Sequence, residues 1–240
     1  MKFKLGALVA LSVVMASAAQ AQQPNLNLIV GFAPGGSADS IARIVGARMQ
    51  EKSGRNVVVE NRPGAGANIA TKAVIQAAPD GNMLLVTTAA LPINETLYRN
   101  KGFAGTVLKP IAVVATTPEV FAIAKNDTSK DLAEFVAKQP GREVIFATAG
   151  IGTGSHIAGE YFFKFILKAN PKHVPFRGGP DATNALMGGH VPMVVSSLSG
   201  FAAQVANGDI RGLAIASEQR NAVVKNVPTF TEAGYPGFTS

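Results

Sequence analysis

Phe32-Ala33-Pro34-Gly35-Gly36-Ser37-Ala38-Asp39 joins an apolar, strand-like run, Leu26 to Phe32, to a helical pattern from Ser37 to Glu51. A second glycine-rich stretch, Ala149-Gly150-Ile151-Gly152-Thr153-Gly154-Ser155-His156, sits in the same way between Glu143 to Ala147 and Ser155 to Leu167. The first N–H groups of a helix have no partner inside it, and glycine lets a ligand come close to them. Two such turns facing each other would clamp an anion, which points to binding as the function.

Outward from these turns the chain alternates between strand and helix patterns. Asn56 to Glu60 and Met83 to Thr87 read as further strands, with helices at Asn68 to Gln76 and, beyond Pro110, at Thr128 to Lys138. Ile111 to Ala115, Val120 to Ala124, His173 to Phe176, Pro192 to Ser196 and Gly212 to Ala216 complete the strand candidates. Asp181 to Met187 and Phe201 to Ala206 complete the helices. Buried parallel strands with crossover helices give such a text, so the expected class is α/β. Two similar alternating halves in 240 residues favour two domains.

Within the first turn Pro34 fixes the approach, Gly35 and Gly36 permit close contact, and Ser37 or Asp39 is placed to cap the helix. Asp39 would repel an anion, so capping or bonding the turn is its expected task. In the second turn Gly150, Gly152 and Gly154 offer backbone, and Thr153, Ser155 and His156 offer side-chain donors. His156 is open to two roles, donor to a carboxylate or cap of its own helix. Phe32 and Ala149 open the two turns, and Thr87 and Thr88 end a strand where α/β sheets offer ligand contacts, so all join the candidate set. Gly64-Ala65-Gly66 before Asn68 is a weaker candidate, and Arg177 reads as solvated surface outside the core set.

Several classes are excluded. The three histidines, His156, His173 and His190, have no ligand spacing and no carboxylate cluster, so no metal is expected, and no cofactor. There is no Gly-x-Ser-x-Gly elbow, no Gly-Lys-Ser/Thr phosphate loop and no Gly-x-Gly-x-x-Gly, so no catalytic residue is assigned. The net charge of +7 is carried by scattered Lys and Arg, which suits an anionic ligand but not a nucleic-acid stripe. Lys2 and Lys4, the apolar Leu5 to Ala16 and Ala19-Gln20-Ala21 read as a signal peptide, residues 1–21, cleaved before Gln22. The absence of cysteine suits the periplasm that this implies.

The run Val30 to Asp39 and Val59-Glu60-Asn61-Arg62-Pro63-Gly64-Ala65-Gly66-Ala67-Asn68 resemble the solute-binding proteins of tripartite tricarboxylate transporters, the Bug family. Ala78-Pro79-Asp80-Gly81, Gly150 to His156, His173-Val174-Pro175-Phe176-Arg177-Gly178-Gly179, Met187-Gly188-Gly189-His190-Val191 and Val227 to Gly234 follow in the family's order. The resemblance implies a type II periplasmic-binding-protein fold: mixed sheets flanked by helices, in two lobes with the ligand cleft between them. The first lobe would hold residues 22–118 with 221–240 and the second 119–220, with crossings near Thr116 to Val120 and Glu218 to Val227. A monomer is implied that captures a di-, tri- or aromatic carboxylate and delivers it to a permease of one large and one small subunit. A sensor feeding a membrane signalling protein would share the fold, and a hydrolase is the lesser alternative. Arg99 to Thr106 stands where the family has a Tyr-Asp-Pro segment, and relatives continue beyond Ser240, so the first lobe is expected to be incomplete at its C-terminal end.

Overall fold

The computed structural model describes residues 23–240, so the expected signal peptide lies outside the described residues. The described residues are α/β throughout. Strand β1 (Leu26–Val30), helix α1 (Ser37–Ser53), β2 (Val57–Asn61), α2 (Asn68–Ile75) and β3 (Met83–Val86) build a parallel sheet in the order β2-β1-β3. Leu28 pairs with Val59 on one side and with Leu84 on the other. Helix α1 turns Ala38, Ala42 and Gly46 inward, and these small residues let it lie close to the strands. Helix α3 (Ala90–Leu97) follows β3.

Further along the chain come β4 (Glu119–Ala124) and α4 (Leu132–Ala137). Then the first plan recurs: β5 (Glu143–Thr148), α5 (Gly154–Tyr161), β6 (Asn170–Pro175), α6 (Gly179–Met187) and β7 (Met193–Ser197), again with the first strand central between the other two. Helix α7 (Ala202–Asn207) leads to β8 (Ile210–Ile215). The second sheet runs β6-β5-β7-β4-β8, with β4 antiparallel to both neighbours, so this sheet is mixed while the first is parallel. Each half therefore crosses over first to one side and then to the other of its central strand. The carboxyl ends of β1 and β5 lie at these switch points, where an open α/β sheet leaves a crevice.

Strand β4 shows how the second sheet is held. Val120 and Ala122 join a cluster with Leu186, Val194 and Phe201 on one face, while Phe121 and Ile123 meet Phe135, Phe146 and Phe162 on the other. The phenylalanines meet edge to face: Phe121 lies 5.3 Å from Phe162 and 4.9 Å from Phe230, and Phe162 lies 5.2 Å from Phe238. Residues 221–240, expected with the first lobe, thus pack against the second sheet, with Val224 and Val227 on one face and Phe230 and Phe238 on the other.

Four local expectations are corrected. Ile111 to Ala115 pairs with no strand; Ile111 is 78% and Val113 86% exposed, because an apolar run becomes a strand only where a neighbour takes its N–H and C=O groups. The helix read from Thr128 starts at Leu132, since the Asp131 carboxylate accepts the Glu134 N–H at 2.8 Å and sets the start there. The helix read from Ser155 to Leu167 passes at Phe162–Ile166 into a π-helical turn. Ser37 and Asp39 do not cap α1, whose N-cap is Gly36 without a side-chain bond.

Candidate functional site

A cleft of about 690 Å³ opens where the two switch points face each other. Its wall comes from four loops: Gly31 and Phe32 after β1, Gly64 to Ala67 after β2, Ala149 to Ile151 after β5, and Pro175 to Arg177 after β6. Tyr98 and Asp181 complete it. The equivalent strands of each half thus supply equivalent loops. Glycine and alanine dominate, so much of the wall is backbone, and Arg177 and Asp181 are its charged members.

The loop after β2 is wound left-handed. Gly64, Ala65, Gly66 and Ala67 have φ of 131°, 49°, 60° and 73°. Positive φ at the two alanines is strained, of order 1 kcal/mol or more each, and must be held by its surroundings. Asn94 Nδ2 donates to Gly66 O at 2.7 Å, and Thr71 Oγ1 donates to Ala67 O at 2.9 Å. Gly66 admits no side chain, because a Cβ there would fall 2.3 Å from Ile151 O across the cleft. A left-handed turn running directly into the right-handed α2 is the kind of backbone arrangement in which anion-binding concavities are built.

The turn after β5 is locked by its own side chains. Thr153 Oγ1 donates to Gly150 O at 2.7 Å and accepts the His156 N–H at 3.2 Å, capping α5. Thr148 Oγ1 accepts the Gly150 N–H at 3.1 Å and lies 2.6 Å from His173 Nε2. His156 Nδ1 accepts the Gly152 N–H at 3.3 Å, and its ring lies 4.2 Å from that of His173. Burial pushes both imidazoles down, His173 to about 4 with help from His156, so both are neutral at pH 7. Ser155 Oγ pairs with Thr153 Oγ1 at 3.0 Å rather than with His156, so no nucleophile and base meet here. Ala149 and Gly150 line the cleft; Gly152, Thr153, Gly154, Ser155 and His156 stand behind it as its frame.

The turn after β1 divides likewise. Phe32 lines the cleft, whereas Pro34, Gly35, Gly36 and Ser37 do not. They meet the other half at its rim: the Ala33 N–H donates to Arg177 O at 3.1 Å, and a Cβ on Gly36 would lie 3.5 Å from Pro180. Asp39 is buried and accepts the Gly35 N–H at 2.9 Å, Arg43 Nε at 3.0 Å and Asn61 Nδ2 at 2.9 Å. Burial would raise its carboxyl, but these bonds outweigh it and hold the group below its ordinary value. Asp39 is therefore the tie of the turn. Thr87 and Thr88 do not reach the cleft either: Thr87 Oγ1 is buried without a partner, and Thr88 Oγ1 accepts the Ala90 N–H.

The sequence points first to the loops after β1 and β5, and the cleft is lined as well by those after β2 and β6. The signal was present in Gly64-Ala65-Gly66 and in Phe176-Arg177, since a central strand shares its switch point with one neighbour. Tyr98 and Asp181 carried no local signal; they reach the cleft only because of how α3 and α6 pack.

Residues 41–240 match the model of a family described as the tripartite tricarboxylate transporter family receptor. BugT of Bordetella pertussis is 33% identical over 221 residues, 90% of this chain and 67% of that protein. Among solved structures, MatC from Rhodopseudomonas palustris with bound malate superposes with a TM-score of 0.80 at 30% identity, over 90% of this chain and 74% of that one. An R. palustris protein with adipate gives 0.84 at 27% identity, over 90% and 73%. The chain spans 63 to 67% of the length of the first curated relatives it matches.

Proposed function

Because this chain belongs to the tripartite tricarboxylate transporter receptor family, we propose that it is a periplasmic solute-binding protein that captures a small carboxylate. Two lobes, residues 22–118 and 119–220, close on the ligand about the crossing at 116–118, with 221–240 riding on the second lobe. The loaded protein then delivers its cargo to a membrane permease of one large and one small subunit. The observation that carries the reading is the cleft wall: about 690 Å³ bordered largely by glycine and alanine from four loops, with Arg177 as its one cation and Asp181 as its one acid. That volume lies within the range of small-ligand sites. Backbone N–H groups at the left-handed turn before α2 and the Arg177 fork would each take a carboxylate oxygen, at about 1.5 to 3 kcal/mol per charged bond. Relatives solved with malate and with adipate support the ligand class. Closing works by population: an anion that touches both lobes only when they meet favours the closed form.

A thermal-unfolding scan with malate, adipate, citrate and an aromatic carboxylate tests the reading. Ligand at about a hundred times its dissociation constant adds roughly 2.7 kcal/mol, a rise of several degrees for a chain of this size. A selective rise with one ligand class is expected. A cooperative melt that none of them moves would contradict the proposal.

A further inference from the structure

Asn94 of α3 is 1% exposed and stands where the two halves meet. Its Nδ2 donates to Gly66 O at 2.7 Å and to Asn68 Oδ1 at 3.2 Å, which turns Oδ1 away from both. That oxygen abuts Gly152 of the opposite half: a Cβ on Gly152 would fall 1.9 Å from Oδ1 and 3.0 Å from Cγ. Oδ1 finds no hydrogen-bond partner there. Four residues on, Tyr98 sends its hydroxyl to Ile151 O at 3.4 Å. One helix end thus touches two successive residues of the opposite turn. Glycine at 152 is required by its φ of 83°, and the absence of a side chain there also admits the Asn94 amide.

We propose, resting on the carboxylate-binding reading above, that Asn94 is a positioning residue that couples the shape of the cleft to closure of the lobes. Through Gly66 it holds the strained Gly64 to Ala67 turn, which lines the cleft, and through Gly152 it docks on the second lobe only when the lobes are shut. In an open molecule Oδ1 is hydrated. Closing strips that water and supplies no donor in return, which disfavours closure in the absence of ligand. The ligand supplies the difference, so Asn94 keeps the free protein open and makes closing conditional on binding.

A double-mutant cycle over Asn94→Ala and Gly152→Ala separates this role from a merely structural one. The natural chain has no cysteine, so spin labels at Ile44→Cys and Met187→Cys, both exposed and in different halves, report the lobe distance without interference. Malate and adipate serve as probes. Gly152→Ala alone should weaken binding by about tenfold or more and shift the distance distribution at saturation toward the open form. With Asn94→Ala already present, the same change should cost measurably less affinity and recover part of the short distance, because the clashing amide is gone, while the strain of an alanine at φ 83° and the Tyr98 ring 3.3 Å from the added Cβ remain in both backgrounds. Equal effects of Gly152→Ala in both backgrounds, on affinity and on distance, would overturn the proposal and leave Asn94 as internal structure of the first lobe. Should Asn94→Ala fail to melt cooperatively, Asn94→Ser takes its place in the cycle. A wild-type protein that binds neither probe would defeat the carboxylate reading instead. The ligand-free distances then decide the role: a larger short-distance population in Asn94→Ala than in the natural sequence supports it, and unchanged populations overturn it.

Discussion

At the scale of single residues, two buried carboxylates show how environment assigns opposite tasks to one chemistry. Asp39 accepts three donors and stays ionised to tie a turn. Glu119, 7% exposed at the start of β4, accepts only Ser197 Oγ at 3.2 Å, and its Oε2 has no partner. Burial pushes this carboxyl up from 4.5 to about 7, against the pull of the Ser197 bond. An acid whose pKa is raised by folding favours the fold while protonated. The fold therefore keeps its full stability below the ordinary value near 4.5 and loses stability as the pH rises through 7. Glu119→Gln removes the charge and keeps the shape. At pH 8 it should be more stable than the natural protein by about 3 kcal/mol, and near pH 4 the two should coincide, as read by urea unfolding at both values. A variant no more stable at pH 8 would mean that ionised Glu119 is compensated within the fold.

At the scale of elements, period and punctuation revealed most of the architecture, and packing decided the rest. The glycine turns, the crossover helices and the second half's strands were legible because buried parallel strands and helix ends have local chemistry. The fate of Ile111 to Ala115 was not, since whether an apolar run finds a strand to pair with is a tertiary fact. Helix α3 escaped notice because Pro92 interrupts its pattern, although proline is tolerated in a first helical turn. The sequence did show Asp39 as a tie of its turn, since a carboxylate repels an anion, but it left His156 between two roles, and in the structure its Nδ1 accepts the Gly152 N–H. Gly159 of α5 makes the balance between local and tertiary effects measurable. Alanine there gains about 1 kcal/mol in helix propensity, but its Cβ would sit 2.3 Å from the buried Phe146 ring. Overpacking in a filled core costs about 1 to 3 kcal/mol or more and should win. Gly159→Ala is thus expected to lower stability by up to about 2 kcal/mol in chemical unfolding; a stabilised variant would mean that the ring can move aside.

At the scale of the whole molecule, the aromatic cluster binds residues 221–240 to the second sheet. Phe230, fully buried, meets Phe121 at 4.9 Å, Phe162 at 4.9 Å and Phe238 at 4.4 Å. Phe230→Ala should cost about 3 to 5 kcal/mol and leave carboxylate affinity within about threefold, because no ring of the cluster lines the cleft. A large loss of affinity in a variant that still folds would tie the cluster to the site. Two halves built on one plan face their switch points toward each other, and that symmetry is what places four backbone loops around one cleft. The measurement that tests this most directly is a titration of nitrogen-15-labelled protein with malate and adipate, followed amide by amide. Saturable shifts are expected at Phe32, Gly66, Ala67, Gly150 and Ile151 together, on both sides of the cleft. Shifts confined to the separate groove bordered by Lys125, Arg211 and Lys225, or none up to millimolar ligand, would contradict the account.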